Sequence, residues 1–248
     1  MKPSQSLIVS PSNPFKPFVI QRSPRRTLVI SVNERGDVKV SAPFRLSQRE
    51  IEAFIKKKMF WIRTKVEHAQ KSHQILREKK FDHDHEFFFL GEKYKLQVTK
   101  KEVKRVNVEF HQNQWNVDVP VAMPLEEREK EIRSKLVQWY RREAEEILGS
   151  RIFQHSRQMG VEPKEVAIRT QKRMWGNCHH RKQRIHLNWQ VIFCPLRVID
   201  YVIVHELCHL TVPNHSKRFW KQVQKFWPHF REDRKWLRDH ALDLILPT

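Results

Sequence analysis

The segment VIDYVIVHELCHL, residues 198–210, constrains the fold of this chain more than any other. Most of its side chains are apolar, Pro195 suits a first helical turn, and nothing breaks a helix before Pro213. We therefore predict a helix that is buried on most of its faces. Placing two histidines and a glutamate in such a helix costs free energy unless a metal ion or hydrogen bonds satisfy them. The segment thus predicts a polar site inside an apolar environment.

Two histidines of this segment, His205 and His209, are four residues apart. On a helix both imidazoles then project from one face and can converge on one ion, with Glu206 beside that face. The candidate third ligand is His215, because residues 212–214 should end the helix and turn the chain back. Neutral imidazole suits Zn²⁺, so H-E-x-x-H-x5-H predicts a zinc centre. The alternative is ordinary core histidines in a chain that has fourteen of them.

The chemistry predicted for this site is metal-assisted hydrolysis of an amide bond. Glu206 is its catalytic residue, which takes a proton from a zinc-activated water and returns it to the leaving amine. Two alternatives stay open at this point. One is a nucleic-acid-binding protein with a structural zinc. The other is a metal-dependent phosphohydrolase acting on nucleotides, whose phosphate would be held by Arg169, Lys172, Arg173, Arg181 and Arg184.

The charge balance points to a polyanionic partner. Lysine and arginine number 48 against 28 acidic residues, which gives a formal net charge of +20. Such a positive field attracts nucleic acid and other polyanions, although a solvated basic surface is the simpler alternative. Basic runs at 22–26, 56–58 and 100–105 would form one surface if they meet. Trp61 and Trp115 are candidates for stacking on bases, and both fit core positions equally well.

Cysteine usage and hydropathy predict a cytoplasmic protein. The three cysteines form no C-x-x-C motif, which favours reduced thiols. Prolines interrupt the N-terminal segment MKPSQSLIVSPSNPFKPFVIQ before an apolar signal region can form. No apolar stretch has the roughly 18 residues needed to span a bilayer. We expect no membrane contact, and the sequence leaves the oligomeric state open.

The first half of the chain predicts a β-rich region with one helix. TLVISV (27–32) and DVKVSAP (37–43) surround the turn NERG, which indicates a hairpin. Ser47 and Glu50 form a capping-box pattern before an amphipathic helix of about five turns. Four strand-like runs follow, for which antiparallel pairing is the simplest arrangement: FFFL, KYKLQV, RVNVEF and QWNVDV. We predict a basic N-terminal domain over residues 1–122.

The second half predicts helices around a small sheet. A long helix follows Pro124 and runs toward Gly160, a residue suited to a helix C-cap. Two strands, EVAIRT and RIHLNW, flank the loop QKRMWGNCHHRKQ. The H-E-x-x-H helix and two shorter helices complete the chain. We predict an α+β fold whose second domain, residues 123–248, carries the metal site.

Four segments of the C-terminal half carry a resemblance to a known family: RMWGNC (173–178), IHLNW (185–189), PLRVIDYVIVHELCHL (195–210) and NHSKRFW (214–220). With the upstream segments RSPRR, APFRLSQREIEAFIKKKMFWI and FLGEKYKLQV, the chain resembles the YgjP-like (DUF45) zinc metallopeptidases over nearly its whole length. The family pattern more commonly reads R-W-G-S-C, whereas here Met174 precedes Trp175 and Asn177 replaces the serine.

The resemblance implies a zincin-like catalytic domain over residues 123–248 that acts on peptides or proteins. In that domain His205, His209 and His215 would be zinc ligands, and Glu206 the catalytic glutamate. It also implies kinship with SprT-like and Wss1-like proteases, some of which act on proteins bound to DNA. A zinc cofactor, a peptide or protein substrate and a nucleic-acid partner are thus all expected.

The resemblance also places the loop of 172–183 and the strand after it against the metal helix. We predict four further site-lining residues in this region: Trp175, Asn188, Arg173 and His186. For Trp175 and Asn188 the alternatives are a packed tryptophan and a strand-end asparagine. Cys178-His179-His180 and the charged loop 82–86 look like metal clusters. Adjacent residues in a loop seldom converge on one ion, so we expect no metal at either.

Overall fold

The computed structural model describes residues 5–8, 18–33, 35–78, 81–171, 174–241, 244 and 246. These residues form eleven strands in three small sheets, five α-helices and two short 3₁₀ helices. The predicted α+β class is confirmed. The chain divides into two compact units, Met1–Glu78 and Lys79–Thr248.

The first unit contains a four-stranded sheet in the order β1-β2-β4-β3. Its strands are β1 (Gln5–Ile8), β2 (Phe18–Ser23), β3 (Val29–Val32) and β4 (Val38–Pro43). The predicted hairpin is confirmed as the antiparallel pair β3 and β4. Strand β2 pairs in parallel with β4 and antiparallel with β1. This pairing lies outside the prediction, which gave no strand before residue 27.

One long helix, α1 (Gln48–Glu78), covers this sheet. The capping box is present: the Ser47 backbone N–H donates to Glu50 Oε2 at 2.7 Å, and the Glu50 N–H donates to Ser47 Oγ at 3.3 Å. The helix is 31 residues long, well beyond the predicted five turns, because no proline or glycine interrupts it after its last buried residue. Its buried side chains join the sheet in one core: Ile51, Ile55, Ile62 and Val66.

The second unit begins with another four-stranded sheet, in the order β5-β6-β8-β7. Its strands are β5 (Glu86–Phe89), β6 (Glu92–Lys101), β7 (Asn107–His111) and β8 (Gln114–Pro120). The all-antiparallel prediction is wrong for β6 and β8, which pair in parallel. Every second residue of β8 is fully buried, whereas β7 alternates between exposed and half-buried residues. The β7–β8 hairpin therefore places β8 inside the sheet and β7 at its edge.

A 35-residue helix, α2 (Leu125–Met159), packs on this sheet and ends as predicted at Gly160, which is left-handed with φ of 64°. The Tyr140 hydroxyl donates to the Phe88 carbonyl at 2.8 Å. The Leu90 N–H donates to the Ile192 carbonyl, also at 2.8 Å. Strands β5–β8 thus share one core with the C-terminal helices, and the division of the chain into two compact units falls after Glu78. The assignment of two domains at 1–122 and 123–248 stays a prediction.

The rest of the second unit is a three-stranded sheet and three helices. The sheet order is β10-β11-β9, with β9 and β11 parallel and β10 antiparallel to β11. The strands are β9 (Glu165–Arg169), β10 (Gly176–His179) and β11 (Arg184–Asn188). The helices are α3 (Leu196–Cys208), α4 (Lys217–Phe226) and α5 (Phe230–His240). Among the described residues, no helix combines the length and apolar character that crossing a bilayer requires.

Candidate active site

Helix α3 carries the H-E-x-x-H motif inside the core. It begins directly after Pro195, and all of its residues from Val198 to Val204 are buried. His205 and Glu206 lie in its last turn, and His209 is its C-cap. Because four residues of an α-helix make slightly more than one turn, the two histidines four apart face the same side. The helix ends before Pro213, as the sequence predicts.

Three imidazole rings converge just beyond the end of α3. The Nε2 atom of His215 lies 3.0 Å from Nε2 of His205 and 3.2 Å from Nε2 of His209. One ligand atom from each of the three histidines lies within 4.8 Å of the others. No other group of three potential metal ligands comes together among the described residues. The chain after α3 therefore folds back as the sequence predicts, and it brings the third histidine to the first two.

Backbone carbonyl groups orient the His209 ring and the end of α3. The Nδ1 atom of His209 lies 3.0 Å from the Val212 carbonyl oxygen. A carbonyl only accepts, so Nδ1 carries the proton and the Nε2 lone pair points at the other two imidazoles. His180 Nδ1 lies 3.0 Å from the His209 carbonyl, and Gln183 Nε2 donates to the Leu210 carbonyl at 3.2 Å. The turn after β10 thus fixes the residues that follow His205.

Aromatic side chains from α4 enclose the three rings. The Phe219 ring stacks on His209, with centroids 4.3 Å apart and planes 21° apart. The Trp220 ring stacks on His215 at 5.6 Å and 26°. Tyr201 from α3 meets His205 edge-on at 6.0 Å. Burial is the main reason why the pKa of His205 is lowered to about 3, and the charges of its neighbours add to the effect. Burial also lowers the pKa of His209. Both of these imidazoles are therefore favoured in the neutral form that binds metal.

The Glu206 carboxyl is buried beside this cluster. It is 5% exposed, and its Oε2 atom has no hydrogen-bond partner among the described residues. Burial raises the pKa of Glu206 to about 8. A buried carboxyl atom without a partner is costly unless a ligand or a water satisfies it. Glu206 Oε2 and His205 Nδ1 are thus two buried polar atoms of the predicted site that have no hydrogen-bond partner among the described residues.

Gly176 of β10 lies against Glu206. A Cβ at residue 176 would come within 2.8 Å of Glu206 Cγ, 2.9 Å of Glu206 Oε1 and 2.9 Å of Leu187 Cδ2. Real Cβ atoms do not approach other atoms so closely, so this position requires glycine. Sequence reasoning missed its role. A glycine inside a strand often marks a close approach by another group, but the sequence predicted a loop at residue 176 and the strand β10 is known only from the structure.

Cys178 is a second residue near Glu206 that sequence reasoning missed. Side chains alternate along a strand, so Cys178 and Gly176 face the same side of β10. Burial is the main reason why the pKa of the Cys178 thiol is raised to about 12, and the charge of Glu206 adds to the effect. This cysteine is therefore a protonated, neutral neighbour of the carboxyl.

The four predicted lining residues have different surroundings. Asn188 is 4% exposed and donates to the Gln171 carbonyl at 2.9 Å and the Met174 carbonyl at 3.3 Å. It thus fastens the loop before β10. Trp175 is half-buried against the main core. Successive side chains of β11 point to opposite faces of the sheet, so His186 lies on the face opposite to Leu187. Arg173 lies outside the described residues, and the lining roles of all four stay predictions.

One of the cationic residues considered for phosphate binding already forms an ion pair. Arg184 Nε lies 2.7 Å from the Glu165 carboxylate, while Lys172 and Arg173 lie outside the described residues. The loop 82–86 is exposed and pairs within itself, His85 with Asp82 at 3.7 Å for example. Within Cys178-His179-His180, the cysteine faces Glu206 and His180 binds a backbone carbonyl. Neither segment gathers three ligand atoms in the described part of the chain.

Comparison with known proteins gives one family. The model of the YgjP-like family, metallopeptidase domain, matches residues 26–240. No curated protein matches the sequence significantly. Among solved structures, the chain is similar to the crystal structure of the metallopeptidase zymogen of Pyrococcus abyssi abylysin. The identity is 22%, the match covers 37% of this chain and 93% of that one, and the TM-score is 0.34.

Proposed function

This chain belongs to the YgjP-like family of metallopeptidases, and from that premise we propose that it cleaves amide bonds with zinc held by His205, His209 and His215. Family membership makes the chain a metal-dependent enzyme that acts on peptides or proteins. The observation that carries the proposal is the convergence of three imidazoles beside the unpartnered carboxyl of Glu206.

The three histidines suit a zinc ion. Nitrogens bound at about 2.0–2.1 Å to a tetrahedral zinc lie roughly 3.3 Å apart, and two of the Nε2 pairs are separated by 3.0 and 3.2 Å. Three protein ligands leave one coordination position open, which is typical of catalytic rather than structural zinc. When bound, zinc supplies Lewis-acid activation of a water and of the substrate carbonyl. His209 is oriented for this by its Nδ1 contact with the Val212 carbonyl.

Glu206 moves the proton in the proposed reaction. Its carboxylate accepts a proton from the attacking water and donates it to the leaving amine. Its unpartnered Oε2 is available for that proton. The Gly176 backbone lies against the Glu206 side chain on the β10 side. This close approach limits where the base can lie, and Glu206 is 5% exposed to solvent.

Strand β10 offers a place for an extended substrate. Among the described residues, β10 pairs with β11 alone and is the edge strand of its sheet. The unpaired backbone groups of an edge strand can bind an extended peptide as an additional strand. Because Gly176 of β10 lies next to Glu206, a peptide aligned there would pass the catalytic carboxyl.

The test of this function is a Glu206→Gln variant. We expect it to keep zinc, because the three histidines are unchanged, and to lose at least about 10²-fold in kcat. Zinc content is measured by atomic spectroscopy and hydrolysis with a mixed peptide library. His215→Ala is the companion variant and should lose both zinc and turnover. Hydrolysis by Glu206→Gln at the wild-type rate would remove this role from Glu206.

The proposed amide cleavage is favoured over the two alternatives by the family match. Of the cations predicted to hold a phosphate, Arg184 is paired with Glu165. A structural zinc would need four protein ligands, whereas three ligand atoms gather here among the described residues.

We also propose nucleic acid as a second partner, bound by the first unit. On α1, Phe60 is 85% exposed and Trp61 is 42% exposed. Three exposed lysines, residues 56–58, precede them on the same helix, with Met59 in between. Exposed aromatic rings beside cations suit the bases and phosphates of a single strand. Trp115, by contrast, is fully buried and serves as a core residue.

The proposed location is the cytoplasm. Cys178, Cys194 and Cys208 are all free thiols, and the last two are buried. Unpaired cysteines are typical of a reducing compartment.

A further inference from the structure

A basic pocket lies between α4 and α5, next to the three histidines. Its volume is about 640 Å³, and Trp220 and Phe230 form part of its wall. Six cationic side chains line it: Lys217, Lys221, Arg231, Arg234, Lys235 and Arg238. None of the described residues that line it is acidic. The residues on both helices therefore create one strongly positive concave surface.

The acidic residues of α5 do not neutralise this pocket. Asp233 is 1% exposed and accepts hydrogen bonds from Arg197 and from Trp227 Nε1. Glu232 lies 3.6 Å from His229, at the start of the helix. Asp239 pairs with Arg238, one of the six cations, at 3.1 Å. The other five form no ion pair among the described residues, and Arg234 lies over the Trp220 ring at 4.7 Å.

The pocket and the candidate active site share a wall. Trp220 lines the pocket, and its ring stacks on His215 at 5.6 Å. On the pocket side the same ring stacks on Phe230, with centroids 5.3 Å apart. A peptide whose scissile bond lies at the histidines extends by about 3.3 Å per residue. Trp220 therefore separates the pocket from the histidines, and a side chain of such a peptide would have to extend past this ring to enter the pocket.

We infer that this pocket is a substrate subsite that selects aspartate or glutamate close to the scissile bond. The inference rests on the proposed peptidase function. A carboxylate entering the pocket meets several unpaired cations, whereas a lysine or arginine is repelled by them. All six cations are exposed, so the attraction is screened by salt and acts mainly on substrate capture.

The test uses two peptides that differ only by glutamate or glutamine near the cleaved bond. The full-length wild type should cleave the glutamate peptide with about tenfold higher kcat/KM at low salt, chiefly through KM. The ratio of kcat/KM for the glutamate peptide to that for the glutamine peptide should fall toward one as salt is raised.

Lys217→Gln with Lys221→Gln removes two pocket charges from α4. Arg218→Gln with Lys225→Gln removes two charges from the same helix outside the pocket lining and is the matched control.

The pocket variant should lose several-fold in its preference for glutamate and keep its rate on the glutamine peptide, while the control variant keeps both. Equal kcat/KM for the two peptides in the wild type, or equal preference in the two variants, overturns the inference and leaves the peptidase function intact.

If no peptide is cleaved, the peptidase function fails. Fluorescence anisotropy of a labelled acidic peptide then tests whether the pocket binds acidic side chains. Binding weakened only by the pocket variant supports the subsite. The inference is overturned if both variants bind the acidic peptide equally. It is also overturned if the pocket variant binds an oligonucleotide more weakly but binds the acidic peptide as before.

Discussion

Next to the proposed catalytic carboxyl of Glu206, Gly176 occupies a position that has no room for a side chain. It has a negative φ, so its requirement for glycine comes from space rather than from backbone conformation. Glu206 and Leu187 occupy the volume that a Cβ would need. A side chain at residue 176 can be accommodated only if the carboxyl moves. Residue 176 therefore controls where the proposed base lies.

We predict that Gly176→Ala lowers kcat by about tenfold or more, because a displacement of the order of 1 Å in a catalytic group costs this much or more. Zinc binding should persist, since the three histidines do not contact residue 176. The measurements are peptide hydrolysis and zinc content of the purified variant. Wild-type kcat in Gly176→Ala would show that Glu206 tolerates the shift.

Gly149 provides a control for this prediction. It lies within α2, and a Cβ there would have no heavy atom within 4 Å. Because glycine destabilises a helix interior by about 1 kcal/mol relative to alanine, Gly149→Ala should raise the free energy of unfolding slightly. It should leave kcat unchanged.

At the scale of elements, α3 is held to α2 by one buried ion pair. Asp200 of α3 is 5% exposed. Its two carboxylate oxygens accept from Arg151 Nε and Nη2 at 2.5 Å each, and His155 Nε2 lies 3.0 Å from Oδ1. Burial acts to raise the pKa of Asp200, but the hydrogen bonds from His155 and Arg151 outweigh it and hold that pKa below its ordinary value. The ion pair thus fixes the helix that carries His205 and Glu206.

We predict that Asp200→Asn lowers the free energy of unfolding by about 2–4 kcal/mol at neutral pH, since it leaves the Arg151 charge without its partner. The folded-state pKa of Asp200 is lowered, so its contribution is present above the ordinary value of 3.8 and is lost as the pH falls below it. Urea unfolding at pH 7 and at pH 3 measures both effects. The difference between wild type and variant should shrink at pH 3.

Glu143 offers the matched control, because it pairs with the exposed Arg142 at 3.1 Å on the same helix α2. Glu143→Gln should change the free energy of unfolding by less than about 0.5 kcal/mol. A loss in Asp200→Asn no larger than that in Glu143→Gln would contradict the anchoring role of Asp200.

At the scale of the whole molecule, the net charge of +20 has two separate consequences. Six of the basic residues line the pocket between α4 and α5, next to the candidate active site. Other basic residues lie on α1 of the first unit, beside exposed Phe60 and Trp61. The proposals accordingly assign acidic peptide to the second unit and nucleic acid to the first.

We predict that the full-length chain binds single-stranded DNA with an affinity that falls steeply as salt rises, because phosphate contacts release counterions. Phe60→Ala with Trp61→Ala should weaken binding by about tenfold or more through lost stacking. Phe153→Ala removes an aromatic ring that is 63% exposed on α2 and should have no effect. Fluorescence anisotropy measures all three proteins. Absence of binding by the wild type at low salt would end this proposal.

Several features follow from the sequence by itself because they depend on neighbouring residues. The apolar run predicts α3, the proline after it predicts the helix end, and the histidine spacing predicts the convergence of His205, His209 and His215. The capping box of Ser47 and the C-cap at Gly160 are local in the same sense. Hydrogen bonding and side-chain direction within a few residues decide such features, so the sequence contains all the information they need.

Only the tertiary structure decided the features that join distant segments. These are the parallel pairing of β6 with β8, the contact of Gly176 with Glu206, the stacking of Phe219 and Trp220 on the histidines, and the basic pocket. Each depends on which buried surfaces pack together, and many pairings satisfy the same local pattern of apolar and polar residues. The sequence therefore predicted the proposed ligands and the proposed base, whereas long-range packing determined what surrounds them.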